Sequence, residues 1–424
     1  MHPTTHHKTD FGRVSLFKQG SKTHQKVSYP QRCGIYHEVV ADSTVFHFNL
    51  NHEIIRLSSQ ASDWPHPHEW LKRSAGGDWI YYSTGGYTGV FETTGEYYLP
   101  NLPYPTNNHM GGTPHRNGAV VGLLDNWYEL LLEAARKVSD KQPELRHFFA
   151  AVKKNSPRRL ADKAAILHRI SEGPVSVLPP DCRHVDYQVI PLTVARGCLY
   201  KCAFCRVKNN QNFQQLSSTE IDRQIDALKT CYANDLVNYN ALFLAQHDAL
   251  QAEGALLLYS IEKGCRDLGL HDSWPESSSS FWFGSVTSLL GAGEAFFDEL
   301  ERVPGRKYIN IGLESADQDT LDLLGKPLDS ADVCAAFEKM QQINQRYDSI
   351  EITANFVTDE HLPAAHYAAL EQLIRDQARP SRGKGTVYLS PLQIDQPSRA
   401  RLFEFYRLKR ISRVPLFMYT IQRL

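Results

Sequence analysis

Three of the chain's eight cysteines stand within nine residues, Gly197-Cys198-Leu199-Tyr200-Lys201-Cys202-Ala203-Phe204-Cys205, in a C-x3-C-x2-C spacing. The apolar run Val189-Ile190-Pro191-Leu192-Thr193-Val194 comes just before them. Three thiolates on one tight loop can bind three corners of a cubane iron–sulfur cluster, leaving the fourth iron open to a small molecule. Zinc is the main rival, but structural zinc sites close with four ligands, usually paired C-x2-C or Cys/His units. No second C-x2-C exists, and His184 lies too far back to complete the loop. The spacing favours the cluster over zinc, and over three structural thiols.

This stretch, with Phe204 directly before the third cysteine, resembles the defining motif of the radical S-adenosylmethionine superfamily. The resemblance runs from about Tyr187 to Leu392. It implies a 4Fe–4S cluster on Cys198, Cys202 and Cys205, with S-adenosyl-L-methionine chelated to the open iron. Reductive cleavage of that cofactor would give methionine and a 5′-deoxyadenosyl radical that abstracts hydrogen from a substrate. It also implies an external electron donor of the flavodoxin or ferredoxin type.

The same resemblance assigns further contacts. In Leu244-Ala245-Gln246-His247-Asp248, Gln246 and His247 occupy the place of a Gly-Gly-Glu-like turn that takes the methionine ammonium. The glycines are replaced here, so these two residues are candidates by position alone, and Asp248 could instead cap the next helix. Ile311-Gly312-Leu313-Glu314-Ser315, followed by Leu323-Leu324-Gly325-Lys326-Pro327, resembles the Gly-Leu-Glu-Ser segment of coproporphyrinogen-oxidase-like members. By that resemblance Glu314 meets the ribose diol and Lys326 the methionine carboxylate. The bland alternatives are an acid at a helix N-terminus for Glu314 and a surface charge for Lys326. Ser285 and Asn355, also at or near strand ends, are secondary candidates for neutral hydrogen bonds to the cofactor; either could equally satisfy local backbone.

The elements that must position these residues are readable from Tyr187 onward, where strand and helix patterns alternate. Strands are expected at 187–194, 239–245, 280–286, 307–313, 349–357 and 385–389, with helices at 218–232, 249–268, 293–302, 330–346 and 363–377. Ser217-Ser218-Thr219-Glu220 supplies an N-cap for the first of these helices. Such alternation calls for an α/β fold with a parallel sheet and right-handed crossovers. The family precedent is a partial (β/α)6 TIM-like barrel with its site at the C-terminal strand ends, where the cysteine loop falls. Residues 187–395 form this expected core.

Residues 1–186 are expected to be an α+β accessory region, a candidate lid over the barrel. Residues 1–30 read as polar and poorly ordered. Short strands are expected at 34–40, 44–50 and 79–82, a loop at 99–118, and helices over 123–138 and 145–170 with Pro157 interrupting. His66 and His68, flanked by prolines, read as a surface turn rather than a ligand pair. Residues 396–424 interleave seven basic residues with aromatics. An amphipathic helix packed on the core accounts for them better than RNA binding does.

Composition bounds the rest. The 424-residue chain is 42% apolar and 22% charged with net charge −1, which gives no overall electrostatic case for nucleic acid. Scattered cysteines without pairing rhythm fit a reducing interior. No run approaches the ~18 apolar residues of a membrane span, and the N-terminus has no apolar signal region. A cytoplasmic enzyme acting on a small-molecule substrate is the first expectation. Modification of RNA or protein, and a non-catalytic iron–sulfur or zinc protein, are the alternatives.

Overall fold

The computed structural model describes residues 3–24, 32–65, 69–82, 117–175, 178–205, 212–379, 381, 383–392 and 399–419. His66 and His68, and most of the 99–118 loop, lie outside the described residues.

The polar N-terminus is not loose. Thr5–Thr9 (β1) and Gly12–Gln19 (β2) form a hairpin that opens a seven-stranded antiparallel sheet. The sheet continues in sequence order through Ile35–Ala41 (β3), Thr44–Phe48 (β4), Ile54–Ser59 (β5), Trp70–Arg73 (β6) and Trp79–Tyr82 (β7). Sparse but well-placed apolar residues explain the departure from expectation. Phe11, Val14 and Leu16 are buried, while Lys18 pairs with the buried Glu38 carboxylate at 2.9 Å. Helices Gly118–Arg136, Pro143–Lys153 and Pro157–Ile170 share a core with this sheet through Trp127, Leu131, Phe148 and Leu160. Pro157 starts the third helix behind the Ser156 cap, as a first-turn proline can.

The second half is a parallel sheet of seven strands in the order β16-β15-β14-β13-β12-β11-β8. These are Ile190–Pro191 (β8), Ala241–Asp248 (β11), Ser279–Gly284 (β12), Arg306–Glu314 (β13), Ile350–Thr358 (β14), Val387–Pro391 (β15) and Leu416–Met418 (β16). Ala195–Arg196 (β9) and Gln214–Gln215 (β10) make a small ribbon of their own. Six strands were expected. The seventh comes from the basic tail, where helix Arg399–Ile411 buries Phe405 and Leu408 before β16 closes the edge. The first strand is shorter than expected because Asp186 and Tyr187 both have φ near +55°, a left-handed turn incompatible with a strand. The expected N-cap forms, as a full capping box: Ser217 and Glu220 satisfy each other's backbone amides. Among the described residues no helix is long and apolar enough to cross a membrane.

Because neighbouring strands follow chain order, right-handed crossovers put the helices on one face. Leu242, Trp282, Ile309, Ile352 and Leu389 pack there against Ile225, Ile261, Phe337 and Leu408. Alternate residues point to the other face. On that side Phe243, Phe281 and Tyr308 pack on Cys182 and Val185 of a short helical strap, Pro180–Val185. Every residue of the strap is buried. Asp181 accepts hydrogen bonds from Tyr388 (2.9 Å), Thr353 (2.7 Å) and Asn310 (3.4 Å), on β15, β14 and β13. Just beyond it, Asp186 is gripped by Arg56 at 2.6 Å and Lys72 at 3.1 Å from the antiparallel sheet. Burial pushes the Lys72 ammonium down to about 8, against the pull of Asp186.

Candidate functional site

The site is built at the C-terminal end of β13. Ile311 faces the helices, so Gly312 faces the strap side. One extra residue then enters β13: Gly312 pairs with Asn355 of β14, but Glu314 pairs with the very next residue, Phe356. This bulge ends in a left-handed Glu314, φ +66°. The turn brings the Glu314 carboxylate back over Gly312. A Cβ on Gly312 would stand 2.5 Å from Glu314 Oε1 and 3.3 Å from Lys326 Nζ.

Lys326 donates to Glu314 Oε1 at 3.2 Å and to the Gly312 carbonyl. Its side chain is 4% exposed and that of Glu314 12%. Neither bland reading fits: Lys326 is not a solvated surface charge, and Asp317, not Glu314, caps the following helix Gln318–Leu323. What the alternation did not reveal is the glycine. A glycine inside a strand signals close approach, and here the approaching group is the carboxylate itself.

A testable consequence follows at this point. Gly312→Ala adds a methyl against the far end of a flexible side chain, so the fold is expected to survive with little change in melting temperature. The carboxylate must move aside, and S-adenosylmethionine affinity is expected to fall about tenfold, which an anaerobic titration would measure.

The cysteine loop docks on the same turn. Ala203 N donates to Leu324 O at 3.1 Å, and a Cβ on Gly325 (φ +61°) would come within 3.2 Å of the Ala203 methyl. Tyr200 bonds through its hydroxyl to Thr287 Oγ1 and accepts from Thr287 N at 3.2 Å, tying the loop to the first turn of helix Val286–Gly291, which follows β12. The Lys326 ammonium lies 6.0 Å from the centre of the Tyr200 ring. Cys202 is buried; Cys198, Cys205 and Phe204 are half-buried. Burial pushes the Cys202 thiol up, with Lys326 opposing and Glu314 and the two other cysteines adding to it. Cys198, Cys202, Cys205, Glu314 and Lys326 are therefore electrostatic neighbours.

Three thiols on one loop are donors of the kind a cubane takes, each thiolate on a different iron. Among the described residues, those three cysteines included, no three His, Cys, Asp or Glu side chains are gathered around one point to hold a single metal ion.

The remaining candidates are less uniform. His247 is half-buried at the end of β11, and burial lowers its pKa, helped by Lys201. The Gln246 side chain lies outside the described residues. Asp248 makes no side-chain cap on the turn that follows it. Its carboxylate instead accepts from Ser285 N (3.0 Å) and Ser288 Oγ (2.7 Å), joining the ends of β11 and β12; burial raises its pKa. The Ser285 hydroxyl caps helix Val286–Gly291, its local-backbone alternative. Asn355 is half-buried beside Gly312 and donates to Asn310 Oδ1 beneath it.

A separate cavity of about 1010 Å³, counted out to its opening on solvent, lies between β3–β7 and the edge strand β8. Arg56, Lys72, Tyr187 and Asp235 line it, and none of the candidate residues does.

No family model matches the sequence, and no curated protein matches it. Solved structures do. A radical SAM methyltransferase from Sphaerobacter thermophilus is similar at TM-score 0.34 and 16% identity, over 55% of this chain and 65% of that one. Methylornithine synthase (PylB) is similar at TM-score 0.34 and 12% identity, over 59% of this chain and 70% of its own. The cobalamin-dependent S-adenosylmethionine radical enzyme OxsB is similar at TM-score 0.33 and 14% identity, over 53% of this chain and 31% of its own. The match thus spans under two thirds of the methyltransferase and under a third of OxsB. At these values the likeness is a bare similarity, and what the site does has to come from its own residues. Of these three similar structures, the methyltransferase and OxsB are described as radical S-adenosylmethionine enzymes.

Proposed function

We propose that the chain is a radical S-adenosylmethionine enzyme whose parallel sheet is a partial (β/α)6-type barrel, with residues 1–186 as its accessory region. One observation carries this reading. The cysteine loop rests on the turn that holds Lys326, and Lys326 is paired with Glu314 over a strand glycine. Three thiols and a buried acid–base pair from separate stretches of sequence thus meet at the C-terminal strand ends, where parallel α/β folds place their sites.

In this reading Cys198, Cys202 and Cys205 hold a 4Fe–4S cluster. When bound, cluster and S-adenosylmethionine together supply the 5′-deoxyadenosyl radical that takes hydrogen from substrate. The protein's own tasks are to bind, orient and shield. Glu314 accepts from the ribose diol, and Lys326 neutralises the methionine carboxylate. His247, Ser285 and Asn355 are further candidate contacts at or near the neighbouring strand ends, Phe204 is one on the cysteine loop, and Gln246 is one by its place in the sequence. A small molecule is the substrate class this reading favours. Electrons come from a flavodoxin or ferredoxin type of donor. Modification of RNA or protein is the alternative; in the tail Phe405, Leu408 and Phe417 are buried while Phe403 is exposed.

The test is anaerobic reconstitution with iron and sulfide, followed by reductant and S-adenosylmethionine. A brown protein that releases 5′-deoxyadenosine and methionine supports the reading. A colourless zinc protein, or a cluster that never cleaves the cofactor, would overturn it.

A further inference from the structure

The Glu314 turn is unusual for a residue meant to hold a ligand. It follows a strand bulge, its φ is +66°, and a side-chain-bearing residue adopts that conformation only when its surroundings impose it. The next residue supplies the constraint. Ser315 is fully buried, and its hydroxyl lies 2.9 Å from His366 Nδ1. His366, also fully buried, sits on helix Ala364–Glu371, and its Nε2 lies 3.0 Å from the carbonyl oxygen of Val357 near the end of β14.

The carbonyl contact fixes the tautomer of the neutral ring, and the Ser315 hydroxyl has two acceptors in reach, His366 Nδ1 at 2.9 Å and Asp317 O at 3.4 Å. A carbonyl oxygen can only accept, so Nε2 must carry hydrogen. In the neutral ring Nδ1 is then bare and accepts from the Ser315 hydroxyl, for which it is the nearer acceptor. The hydroxyl oxygen in turn accepts from Asp317 N at 3.0 Å. Burial lowers the pKa of His366, which keeps the ring neutral near pH 7. The imidazole is thus a cross-brace between β14 and the turn that ends β13. That turn leads through Asp317 into helix Gln318–Leu323 and on to Leu324, Gly325 and Lys326.

We propose that His366 is a positioning residue: through Ser315 it holds the left-handed Glu314 turn, and so aims the carboxylate at S-adenosylmethionine. The inference rests on the function proposed above, because it needs Glu314 to be a cofactor contact. His366 itself touches neither cofactor nor substrate.

A double-mutant cycle tests it. His366→Leu removes both hydrogen bonds, and His366→Asn keeps an acceptor where Nδ1 stood; Ser315→Ala serves if His366→Leu does not fold. Each variant is reconstituted anaerobically, checked for iron content and melting temperature, and titrated with S-adenosylmethionine. His366→Leu and Ser315→Ala are expected to weaken binding by about tenfold with cluster content unchanged, and His366→Asn by less. In a Glu314→Ala background the same changes are expected to alter affinity by less than about twofold. Nitrogen NMR of the unliganded protein is expected to show His366 as the Nε2–H tautomer.

Three results would overturn the proposal: wild-type affinity in a folded His366→Leu, an undiminished loss in the Glu314→Ala background, or the Nδ1–H tautomer. The parent reading fails differently. If Glu314→Ala alone binds the cofactor as tightly as wild type, the cofactor assignment of Glu314 falls first.

Discussion

Replacing Cys198, Cys202 and Cys205 together with alanine is expected to leave a folded chain that holds no iron or sulfide and releases no 5′-deoxyadenosine. The effect should be all-or-none, because a cubane stripped of its three thiolates has no other protein attachment. The fold should survive. Two of the three side chains are only half-buried, and the Ala203–Leu324 and Tyr200–Thr287 hydrogen bonds hold the loop independently of the thiols. Serine at Cys33, Cys231, Cys265 or Cys334, one at a time, should leave the cluster intact. Burial pushes the Cys33 and Cys265 thiols up to about 12, so they resist the thiolate form that iron requires. Iron and sulfide assays with visible absorbance decide the matter. A normal cluster in the triple variant, or a lost cluster in any single one, would contradict the ligand assignment.

Glu314→Ala carries the next largest effect. Charge-assisted hydrogen bonds contribute about 1.5–3 kcal/mol each, and about 1.4 kcal/mol is one decade of affinity. S-adenosylmethionine binding should therefore weaken about tenfold or more, with cluster assembly unaffected. Stability should fall as well. Lys326 is 4% exposed, and removing the partner of a buried pair costs roughly 3–5 kcal/mol in unfavourable cases. The Gly312 carbonyl still accepts from Lys326, which reduces that cost. Glu314→Gln separates the two effects, since it keeps an acceptor near Lys326 and loses the charge. Its melting temperature should lie between those of wild type and the alanine variant, while its affinity falls. Equal affinities for all three proteins would remove Glu314 from the cofactor site.

Much of the site was legible because its chemistry is local in sequence. The cysteine loop is nine residues long, and Glu314 and Lys326 lie twelve apart, at the end of a strand whose apolar pattern is clear. What escaped notice depends on long-range partners. Neither His366 nor Ser315 carries a local signal; they matter because β13 and β14 lie side by side. Asp181 lies far along the chain from Thr353 and Tyr388, and no periodicity announces a strap. The N-terminal hairpin was misread for a related reason: its apolar residues are few, and its ordering depends on pairing with β3. The edge strand Leu416–Met418 was hidden inside a stretch whose basic residues dominated its pattern.

The strap also bears on how such a chain could be divided or recombined. The change to alternating strands and helices draws a boundary between residues 186 and 187, yet the covalent link there joins Asp186, held by Arg56 and Lys72, to the residues leading into the first parallel strand. A fragment starting at 187 would present Tyr388, Thr353 and Asn310 to water without their shared carboxylate, and would leave Phe281 and Tyr308 uncovered. One ending at 186 would carry a six-residue segment shaped for a cavity it no longer has. The two halves are thus interlocked as a bolt is with its socket, and a domain graft that respects the fold has to carry residues 180–186 along with the parallel sheet.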